Sequence, residues 1–576
     1  MSSATSLYRT VFVCTLKQLT AMSVGGRDDI SSGADLSVGF DGDNQLVLRG
    51  TSLAGDLIAT ARTLVKDIPP SISSGKTKNG ELVRSSWDVW NGHLHPDFNG
   101  VAQVIRPGSP HRQDTRAAGK GGLHDYEVVP PGVEWCFLLE VKGAHSNDAN
   151  ASGADTSDAQ ATDAHIAALT LQEWQRQRAW LGRKVARGLG WLSLVDCIVY
   201  ELPAEEGVVD AWPDSSLNGH MAHAEKLACI ATDNKVVPLT LAQYVANNSK
   251  LMDEIKRPSR AYVQWSGSIV VGPYKPANAD RKAGISYGYD PLAIAAHGSA
   301  SIEDDFLVEN RLMRAPDQQW DKFENNFSSD TVLATSSVAK RLGSSYAEPL
   351  VCYQSQPFIP GTSIGGSLRH WLSRKERMAG EPVWDPVEKS HYGQSPSNKT
   401  LNETQGADVS SSKLVPIDAV VKLLGMVDGD TSYPSRLLIS DAHLHNAHTP
   451  YEEPSWCMAK LEKVALDSFV QNPFGSGKFD RLALFACQFK FNFTLEIDLA
   501  EHAALTLESL TATPQQNANV ALVQSFLREA ALGRIAIGSG EFRGYGHVTF
   551  TVAECRFATA GQEWERFNIS VEEVKV

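Results

Sequence analysis

The chain has 576 residues, which exceeds one ordinary domain and predicts two to four. A hydrophobic share of 42% is typical of a globular protein with buried cores, and no apolar run approaches the roughly 18 residues of a bilayer span. The formal net charge of -14 argues against bulk attraction to nucleic acid, although a local basic channel stays compatible with it. The first 16 residues lack the basic leader and apolar core of a signal peptide, so we expect a cytoplasmic protein.

The cysteines are scattered along the chain and none forms a C-x-x-C pair. This spacing predicts neither a disulfide framework nor a thiolate zinc site. Several lie in apolar, strand-like segments, where we expect reduced core residues.

The first half of the chain alternates predicted strands and helices around two glycine-rich signatures. A strand is predicted at Tyr8–Leu19, and the signature Gly50-Thr51-Ser52-Leu53-Ala54-Gly55 opens a helix predicted over Leu53–Val65. Thr51 or Ser52 is the predicted N-cap of this helix, because a hydroxyl can accept a bond from a free first-turn N–H. Asn91-Gly92-His93-Leu94-His95 follows.

A long polar excursion, Val104–Gly132, then precedes a predicted strand at Glu134–Val141. The acidic, Ala- and Ser-rich stretch Ala144–Ala164 predicts a mobile surface loop. A helix near Leu169–Trp180 leads into the second signature, Arg187-Gly188-Leu189-Gly190, and a closing strand.

The second half repeats both signatures in the same order. Gly361-Thr362-Ser363-Ile364-Gly365-Gly366 opens a helix predicted over Ile364–Arg377, and Asp441-Ala442-His443-Leu444-His445 occupies the place of the first His-x-His segment. The counterparts of the later elements are the excursion, a strand, a helix and the closing loop: Val464–Arg481, Phe491–Ile497, Val520–Ala531 and Arg543-Gly544-Tyr545-Gly546.

This order predicts an α+β fold in which each half follows the β-α-β-β-α-β, ferredoxin-like arrangement. We expect a first domain at residues 1–200, a connection at 201–260 and a second domain at 261–576. The second domain carries predicted insertions at about 280–357 and 378–434.

The two signatures favour binding of a phosphate backbone. A helix N-terminus presents unpaired N–H groups and a positive dipole end, and glycines with arginines let charge approach a phosphodiester. Each signature also has a plain structural interpretation, as a helix cap or as a helix-to-strand connection. Duplication favours the binding interpretation.

With these motifs the chain resembles the repeat-associated mysterious protein (RAMP) superfamily, and is most similar to the backbone subunits of type III CRISPR effector complexes. Besides the two signatures, the first half matches the family at Val24-Gly25-Gly26, Gly33-Ala34-Asp35 and the run from Asp125 to Pro130. A chain with two such domains is similar to the fused double-backbone subunit of type III-D complexes.

The resemblance implies two tandem ferredoxin-like (RRM-like) RAMP domains that hold a guide RNA and function in antiviral defence. It also implies hairpin "thumbs", at about 102–132 and 464–481, that disrupt the guide–target duplex. Its implied partners are guide CRISPR RNA, target RNA and the other RAMP-type and large signature subunits. The residues expected to bind RNA are those of the signatures and nearby cations: Gly50, Thr51, Ser52, Gly55, Arg183, Lys184, Arg187, Gly188, Gly190, Gly361, Thr362, Ser363, Arg369, Arg534, Arg543, Gly544 and Gly546.

The resemblance further implies that Asp35 promotes metal-dependent cleavage of the target RNA by its own 2′-hydroxyl. Such a transesterification needs an aligned 2′-oxygen and a group that recruits a cation, here Mg²⁺ or Mn²⁺, or that assists proton transfer. A solvated acidic loop is the plain alternative. The second half lacks a Gly-Ala-Asp segment at the matching distance, so Asp304 and Asp305 are weaker candidates.

Two alternative functions stay open at the sequence level. One is a structural RNA scaffold whose cutting is done by other subunits. The other is a guide-precursor processing nuclease, histidine-based and metal-independent, which would use His93, His95 or His111. The His-x-His segments could also ligate zinc, but no further ligands are convincingly placed.

Overall fold

The computed structural model describes residues 7–25, 36–43, 45–66, 68–73, 83, 85–98, 101, 103–108, 124–142, 156–203, 237–271, 300–301, 346–347, 352–353, 356–385, 390–392, 418–428, 431–444, 458–466, 473–484, 487–500, 517–538 and 546–567. The elements up to residue 255 are β1 (Leu7–Gln18), β2 (Val47–Leu48), α1 (Gly50–Leu64), α2 (Pro70–Ser73), β3 (Trp87–Val89), β4 (Gly92–Leu94), β5 (Val104–Gly108), β6 (His124–Val128), β7 (Glu134–Lys142), α3 (Thr156–Gln175), β8 (Ala179–Trp180), β9 (Trp191–Pro203), β10 (Leu239–Thr240), α4 (Leu241–Asn247) and α5 (Ser249–Ile255).

The elements after residue 255 are β11 (Arg260–Val271), β12 (Ala300–Ser301), β13 (Tyr346–Ala347), β14 (Cys352–Tyr353), β15 (Gln356–Ile359), α6 (Gly361–Met378), β16 (Val383–Asp385), β17 (Ser390–Tyr392), α7 (Ala419–Leu424), β18 (Met426–Asp428), β19 (Thr431–Tyr433), β20 (Leu437–Ile439), β21 (Ala442–Leu444), β22 (Met458–Leu466), β23 (Pro473–Leu484), β24 (Cys487–Asp498), α8 (Ala518–Ala531), β25 (Ile535–Ala536), β26 (His547–Thr559) and β27 (Glu565–Phe567).

Two curled antiparallel sheets organise the described chain, and the predicted α+β class is confirmed. The first sheet has the order β10-β9-β1-β7-β4-β2, and the second contains β15-β21-β24-β11-β26-β25. Strand by strand, β9, β1, β7, β4 and β2 correspond to β26, β11, β24, β21 and β15. We call the first sheet with α1 to α5 the first unit, and the second sheet with α6 to α8 the second unit.

The helices cover one face of each sheet because their apolar residues recur every three or four positions. In α1 the buried residues include Leu53, Leu57, Ala61 and Leu64, and α8 buries Phe526 among others. Phe526 meets the rings of Phe493 and Phe550 of the second sheet at centroid distances of 6.3 and 6.0 Å. Full burial of each such side chain stabilises the fold by about 1.5–3 kcal/mol.

Helix α3 corrects the prediction of a mobile loop over Ala144–Ala164 for residues 156–164, while residues 144–155 lie outside the described residues. The helix begins at Thr156, well before the predicted start. Asp163, which lies within the predicted loop, is only 6% exposed, and its Oδ2 accepts a 2.7 Å bond from Ser86 Oγ. The alanine content of the segment favours helix, and sequence composition alone did not reveal the buried bond.

A hairpin interrupts each unit between the His-x-His segment and the next long strand. Strands β5 and β6 pair in the first unit, and β22 pairs with β23 in the second. These hairpins lie at the predicted thumb positions, and the second one extends beyond 464–481 at both ends.

The two units share packed surface. Tyr262 of β11 and Ala560, which follows β26, are buried in the core of the first unit. Residues 237–255, within the predicted connection, also pack there through Leu241, Tyr244 and Met252. None of the helices in the described part of the chain combines the length and apolar character of a membrane span.

Candidate nucleic-acid interface

The first glycine-rich turn is fixed by a bond to the His-x-His segment. The backbone N–H of Gly50 donates to Oδ1 of Asn91 at 2.8 Å. In the second unit the N–H of Gly361 donates to Oδ1 of Asp441 at the same distance. The glycine-rich turn and the His-x-His segment of each half therefore meet, and one orphan N–H of each helix is satisfied by a distant side chain.

The predicted N-caps, Thr51 and Ser52, are wrong. Helix α1 is preceded by Arg49 and α6 by Pro360, and neither residue makes a side-chain capping bond. The glycines occupy the first helical position because they pack closely. A Cβ at Gly50 would clash with the carbonyl oxygen of Val89, and one at Gly361 would lie 2.6 Å from the equivalent oxygen of Ile439.

The last glycines of the turns, Gly55 and Gly366, have a different environment. Both are exposed, and a Cβ on either would meet no atom of the described chain within 4 Å outside its own helix. Glycine inside a helix costs about 1 kcal/mol relative to alanine. Internal packing therefore explains the first glycine of each turn and leaves the last unexplained.

The terminal loop of the first unit is held tightly at both ends. Its backbone bonds run from Arg183 N to Ser23 O at 2.8 Å and from Gly190 N to Ala21 O at 2.7 Å. Gly188 and Gly190 have φ values of 96° and 71°, which favour glycine. The loop thus has a fixed path rather than that of a flexible connection.

This loop carries three predicted RNA-binding cations close together. The Nζ of Lys184 lies 3.4 Å from the ring centroid of Tyr126, at the base of the β5–β6 hairpin. Arg187 is exposed, and Arg183 is half-buried with its guanidinium beside Gly25. An acidic chain therefore presents a local cluster of positive charge at the hairpin base.

The terminal loop of the second unit is closed in the same way. Ile537 N donates to Gly546 O at 2.8 Å, as Leu181 N donates to Gly190 O at 2.8 Å. Arg534 is exposed and pairs with Glu529 at 3.2 Å. Arg543 and Gly544 lie outside the described residues.

The segment that follows Asp35 lies against the same hairpin. Leu36 forms a bridge with Tyr126, and its carbonyl accepts a 2.8 Å bond from Glu127 N. Val38 N donates to Glu127 Oε2 at 3.0 Å. Asp35 itself lies outside the described residues, as do Asp304 and Asp305.

Comparison with known families identifies one part of the chain. Residues 353–549 match the RAMP superfamily. The chain contains a RAMP domain. The matched range covers about a third of the chain and includes both glycine-rich signatures of the second unit. None of the curated proteins matches the chain significantly.

The RAMP domain points to a CRISPR-associated, RNA-binding subunit. Its predicted contact residue Arg369, however, lies in the interior. Arg369 is 8% exposed, and its Nη2 donates to the carbonyls of Leu424 and Gly425 at 2.9 and 2.8 Å. In this position Arg369 satisfies the C-terminal end of α7, a role favoured by the helix dipole.

The histidines do not assemble a metal site in the described part of the chain. His93 Nδ1 lies 3.9 Å from Asp41 Oδ2, and His95 Nδ1 lies 3.4 Å from Asp97 Oδ2. His443 of the RAMP domain stacks on Phe358 with centroids 6.0 Å apart. No group of three potential ligands occurs among the described residues. His111 and His445 lie outside them.

The first terminal loop reaches the RAMP domain directly. A Cβ on Gly361 would lie 2.8 Å from the carbonyl oxygen of Arg187, and one on Gly188 would lie 2.7 Å from Asp441 Oδ1. The sequence does not predict this contact, because a repeated signature indicates that two halves fold alike and carries no signal of which surfaces of the two halves touch.

A buried network beside the RAMP domain was also missed. Glu173, fully buried at the end of α3, accepts bonds from Arg178 Nε at 2.6 Å and from Gly561 N at 2.9 Å. Arg178 Nη2 donates to Gln562 O at 2.6 Å, and its guanidinium lies over the rings of Tyr262 and Trp564. Glu173 and Arg178 are only five residues apart, and their spacing does not indicate that their other partners, Gly561 and Gln562, lie 388 and 384 residues away.

Proposed function

We propose that this chain is an RNA-guided CRISPR effector backbone subunit of type III, similar to the fused double-backbone subunit of type III-D. In this proposal two RAMP domains stand in tandem, with the boundaries expected from the sequence. One observation supports the tandem arrangement most directly. The first unit, outside the matched range, repeats the strand order of the RAMP domain and the bond that fixes its glycine-rich turn.

The RNA-binding role is supported by the exposed end of each turn and by the basic loop. A sugar-phosphate backbone can approach Gly55 and Gly366 closely because no Cβ intervenes. Lys184 and Arg187 supply charge-assisted contacts to phosphate at the hairpin base. In the second unit Arg534, with Arg543 and Gly544, would act in the same way.

The cutting role is assigned to Asp35, in the first unit only. The hairpins are the proposed thumbs, and Leu36 beside the base of the first hairpin supports a place for Asp35 near a displaced nucleotide. The 2′-oxygen of the target would attack the adjacent phosphorus to form a 2′,3′-cyclic phosphate, and the bond from that phosphorus to the 5′-oxygen of the next nucleotide would break. The 5′-oxygen would leave with a proton from solvent water. Asp35 would assist removal of the 2′-hydroxyl proton.

A divalent cation, Mg²⁺ or Mn²⁺, is part of the proposal, with Asp35 as its ligand. The described residues alone do not provide a cation site, since they contain no group of three potential ligands. Asp41 Oδ1 is already bonded to the N–H groups of Asp43 and Gln45. Asp35 is therefore the one protein ligand in this proposal.

The proposed partners are guide RNA, target RNA and other RAMP-type and large signature subunits, in the cytoplasm. If the assembled complex does not cleave target RNA, the proposed function is that of a non-catalytic, RNA-binding scaffold subunit of the same type of complex. Asp304 and Asp305 are kept as the weaker candidates for a second cutting site.

The test is purification of the chain with its partner subunits, followed by RNA extraction and a cleavage assay on complementary RNA. We expect copurified RNA of uniform length and products that require Mg²⁺ or Mn²⁺. Asp35→Ala should abolish cleavage and keep the RNA, while Asp43→Ala, a nearby exposed acid, should cleave normally.

Cleavage at the usual position by the Asp35→Ala complex would remove Asp35 from the mechanism. Wild-type complex that holds RNA but yields no metal-dependent product would leave the scaffold function. Absence of RNA from the purified complex would refute the RNA-binding proposal itself.

A further inference from the structure

Two cysteines of the first unit face each other inside its core. Cys14 of β1 and Cys197 of β9 are directly opposite in the antiparallel register, and their Sγ atoms are 3.6 Å apart. Both thiols are free, and the two residues are 1% and 2% exposed. They are 183 residues apart in the chain, so the pair connects the first strand of the unit with its closing strand.

The geometry of the pair is compatible with a disulfide. Directly opposed residues of antiparallel strands have Cα atoms about 4.5–5.5 Å apart, within the range of about 4.4–6.8 Å that a disulfide spans. Because the sulfurs already face each other, the bond can form by side-chain rotation with a small adjustment of the backbone. A register shift between Thr15 and Leu16 interrupts the regular ladder beside the pair, where such an adjustment is easiest.

Two other roles for the pair explain less of this arrangement. Two thiols alone do not complete the four ligands of a structural zinc site, and the described residues contain no group of three potential ligands. Reduced cysteines can also serve as small apolar core residues, as the sequence predicts. That role gives no reason for the two sulfurs to lie at hydrogen-bond distance.

The hydrogen bond within the pair indicates which sulfur reacts first. Cys14 Sγ donates to Cys197 Sγ, and burial, followed by this bond, raises the pKa of Cys14 well above its ordinary value. Cys14 therefore keeps its proton. Cys197 Sγ accepts a hydrogen bond, which stabilises negative charge, so it is the sulfur placed to attack an oxidant.

Cys197 lies beside an interrupted edge of the first sheet. On the outer side of β9, the two-residue strand β10 pairs with Val199 and Ile198, and β8 pairs with Leu192 and Trp191. Cys197 falls between these two short pairings, and the neighbouring Ile198 is 36% exposed. Local opening of so short a strand requires little free energy, and it would admit a small oxidant such as hydrogen peroxide.

We propose that Cys14 and Cys197 form a reversible disulfide when the chain meets a peroxide. The sulfur of Cys197 would lose its proton and attack one oxygen of hydrogen peroxide, which gives a sulfenic acid and, with that proton, one water. The sulfur of Cys14 would then displace the sulfenic hydroxyl, which leaves with the Cys14 proton as a second water. Two thiols and one peroxide thus give one disulfide and two waters.

The surroundings of the pair favour the disulfide over other oxidised forms. Both residues belong to the hydrophobic core of the first unit, where a polar sulfenic or sulfinic acid is costly to bury and a disulfide is not. The bond closes a long loop of the chain and should therefore stabilise the first unit. In a reducing compartment such a disulfide is transient, because thiol exchange restores the pair once the peroxide is gone.

The experiment is treatment of the purified full chain with hydrogen peroxide, followed by alkylation of the remaining thiols and peptide mass mapping without reductant. We expect one linked pair of peptides, containing Cys14 and Cys197, which dithiothreitol separates. The oxidised chain should melt roughly 5–10 °C above the reduced chain. Cys136→Ala, at a half-buried cysteine of β7, should behave like the wild type. Cys197→Ala should leave Cys14 as a free thiol and remove the rise in melting temperature.

Recovery of both thiols unlinked, after peroxide has oxidised the more accessible Cys136, would overturn the proposal. A main product that links Cys14 or Cys197 to a different cysteine would overturn it as well, and so would a linked chain that melts below the reduced one. The peptide mapping uses the wild-type chain alone, so it decides the outcome even where Cys197→Ala fails to fold.

Discussion

Gly50 and Asn91, 41 residues apart, are joined by a 2.8 Å hydrogen bond from backbone N–H to side-chain Oδ1. Gly361 and Asp441 reproduce it at 2.8 Å. The glycine-rich turn and the His-x-His segment are therefore one structural feature, present in each unit. The bond places each helix N-terminus against the end of a neighbouring strand, and only glycine fits the space that remains.

Gly55→Ala and Gly366→Ala should stabilise the free chain. Each removes a helical glycine and adds a methyl group to open space, so the free energy of unfolding should rise by about 0.5–1 kcal/mol. If RNA approaches this surface, the same substitutions should weaken RNA binding. Thermal unfolding and RNA titration of each variant check both effects, with the exposed Ala59→Ser as control. Stabilisation with unchanged RNA affinity would move the RNA contact elsewhere.

Lys184→Ala with Arg187→Ala should weaken RNA binding and flatten its salt dependence. For single-stranded RNA each lost phosphate contact lowers the slope of log affinity against log salt by about 0.7. Arg534→Ala, whose side chain pairs with Glu529 on the second unit, tests the equivalent contact separately. RNA affinity measured at several salt concentrations gives the slopes. An unchanged slope in the double variant would exclude the first loop from the phosphate contacts.

Asp56 should make stability depend on pH. Burial raises its pKa to about 7, and its Oδ2 has no hydrogen-bond partner among the described residues. A carboxyl whose pKa is raised on folding stabilises most below its unfolded pKa near 3.8, and this contribution is lost as pH rises through about 7. Asp56→Asn should match the wild type near pH 4 and exceed it in melting temperature above pH 7.

The second unit indicates what Asp56 faces. Counted from the glycines of the signatures, Asp56 corresponds to Ser367, which donates to the carbonyl of Ala536 at 2.8 Å. By the same count Trp180 corresponds to Ala536, so we expect the side chain at position 56 to face the carbonyl of Trp180. A serine hydroxyl or an asparagine amide can donate to that carbonyl, and Asp56→Ser should therefore behave like Asp56→Asn. Asp253→Asn, on a side chain that is 71% exposed, is the control. A pH-independent difference between Asp56→Asn and the wild type would contradict this account.

Glu173→Gln should destabilise the whole chain. It leaves Arg178, 1% exposed, buried without its counter-charge, and removal of one partner of a buried pair costs about 3–5 kcal/mol. Glu563→Gln is the matched change, because that side chain is 75% exposed and its pair with Arg176 should contribute about 0–1 kcal/mol. Urea unfolding midpoints compare the two. Equal shifts would show that the buried pair of Glu173 and Arg178 contributes no more to stability than the exposed pair of Glu563 and Arg176.

Much of the fold was accessible from the sequence because the elements repeat. The first strand, predicted at Tyr8–Leu19, is found at Leu7–Gln18, and the helix predicted over Val520–Ala531 begins two residues earlier. The interior positions of Arg369 and Asp163 were not predictable, because burial of a charged side chain depends on partners far along the chain. Arg178 and Gln562, for example, are 384 residues apart.

The role of the first glycine was misjudged for a related reason. A glycine that packs against a carbonyl and a glycine that admits a ligand look alike in sequence. Only the surroundings of Gly50 and Gly55 separate them. The RNA-binding and cutting assignments stay predictions.

Tyr262 gives the chain a property that its repeated design would not suggest. This residue belongs to the second sheet but is buried against Trp180 with the first core, with ring centroids 5.9 Å apart. A truncated chain that ended near residue 200 would lose Leu241, Tyr244 and Met252 from that core and uncover Trp180. Dissection of this protein into halves should therefore yield two insoluble fragments, each of which recovers its solubility only when the other is expressed beside it.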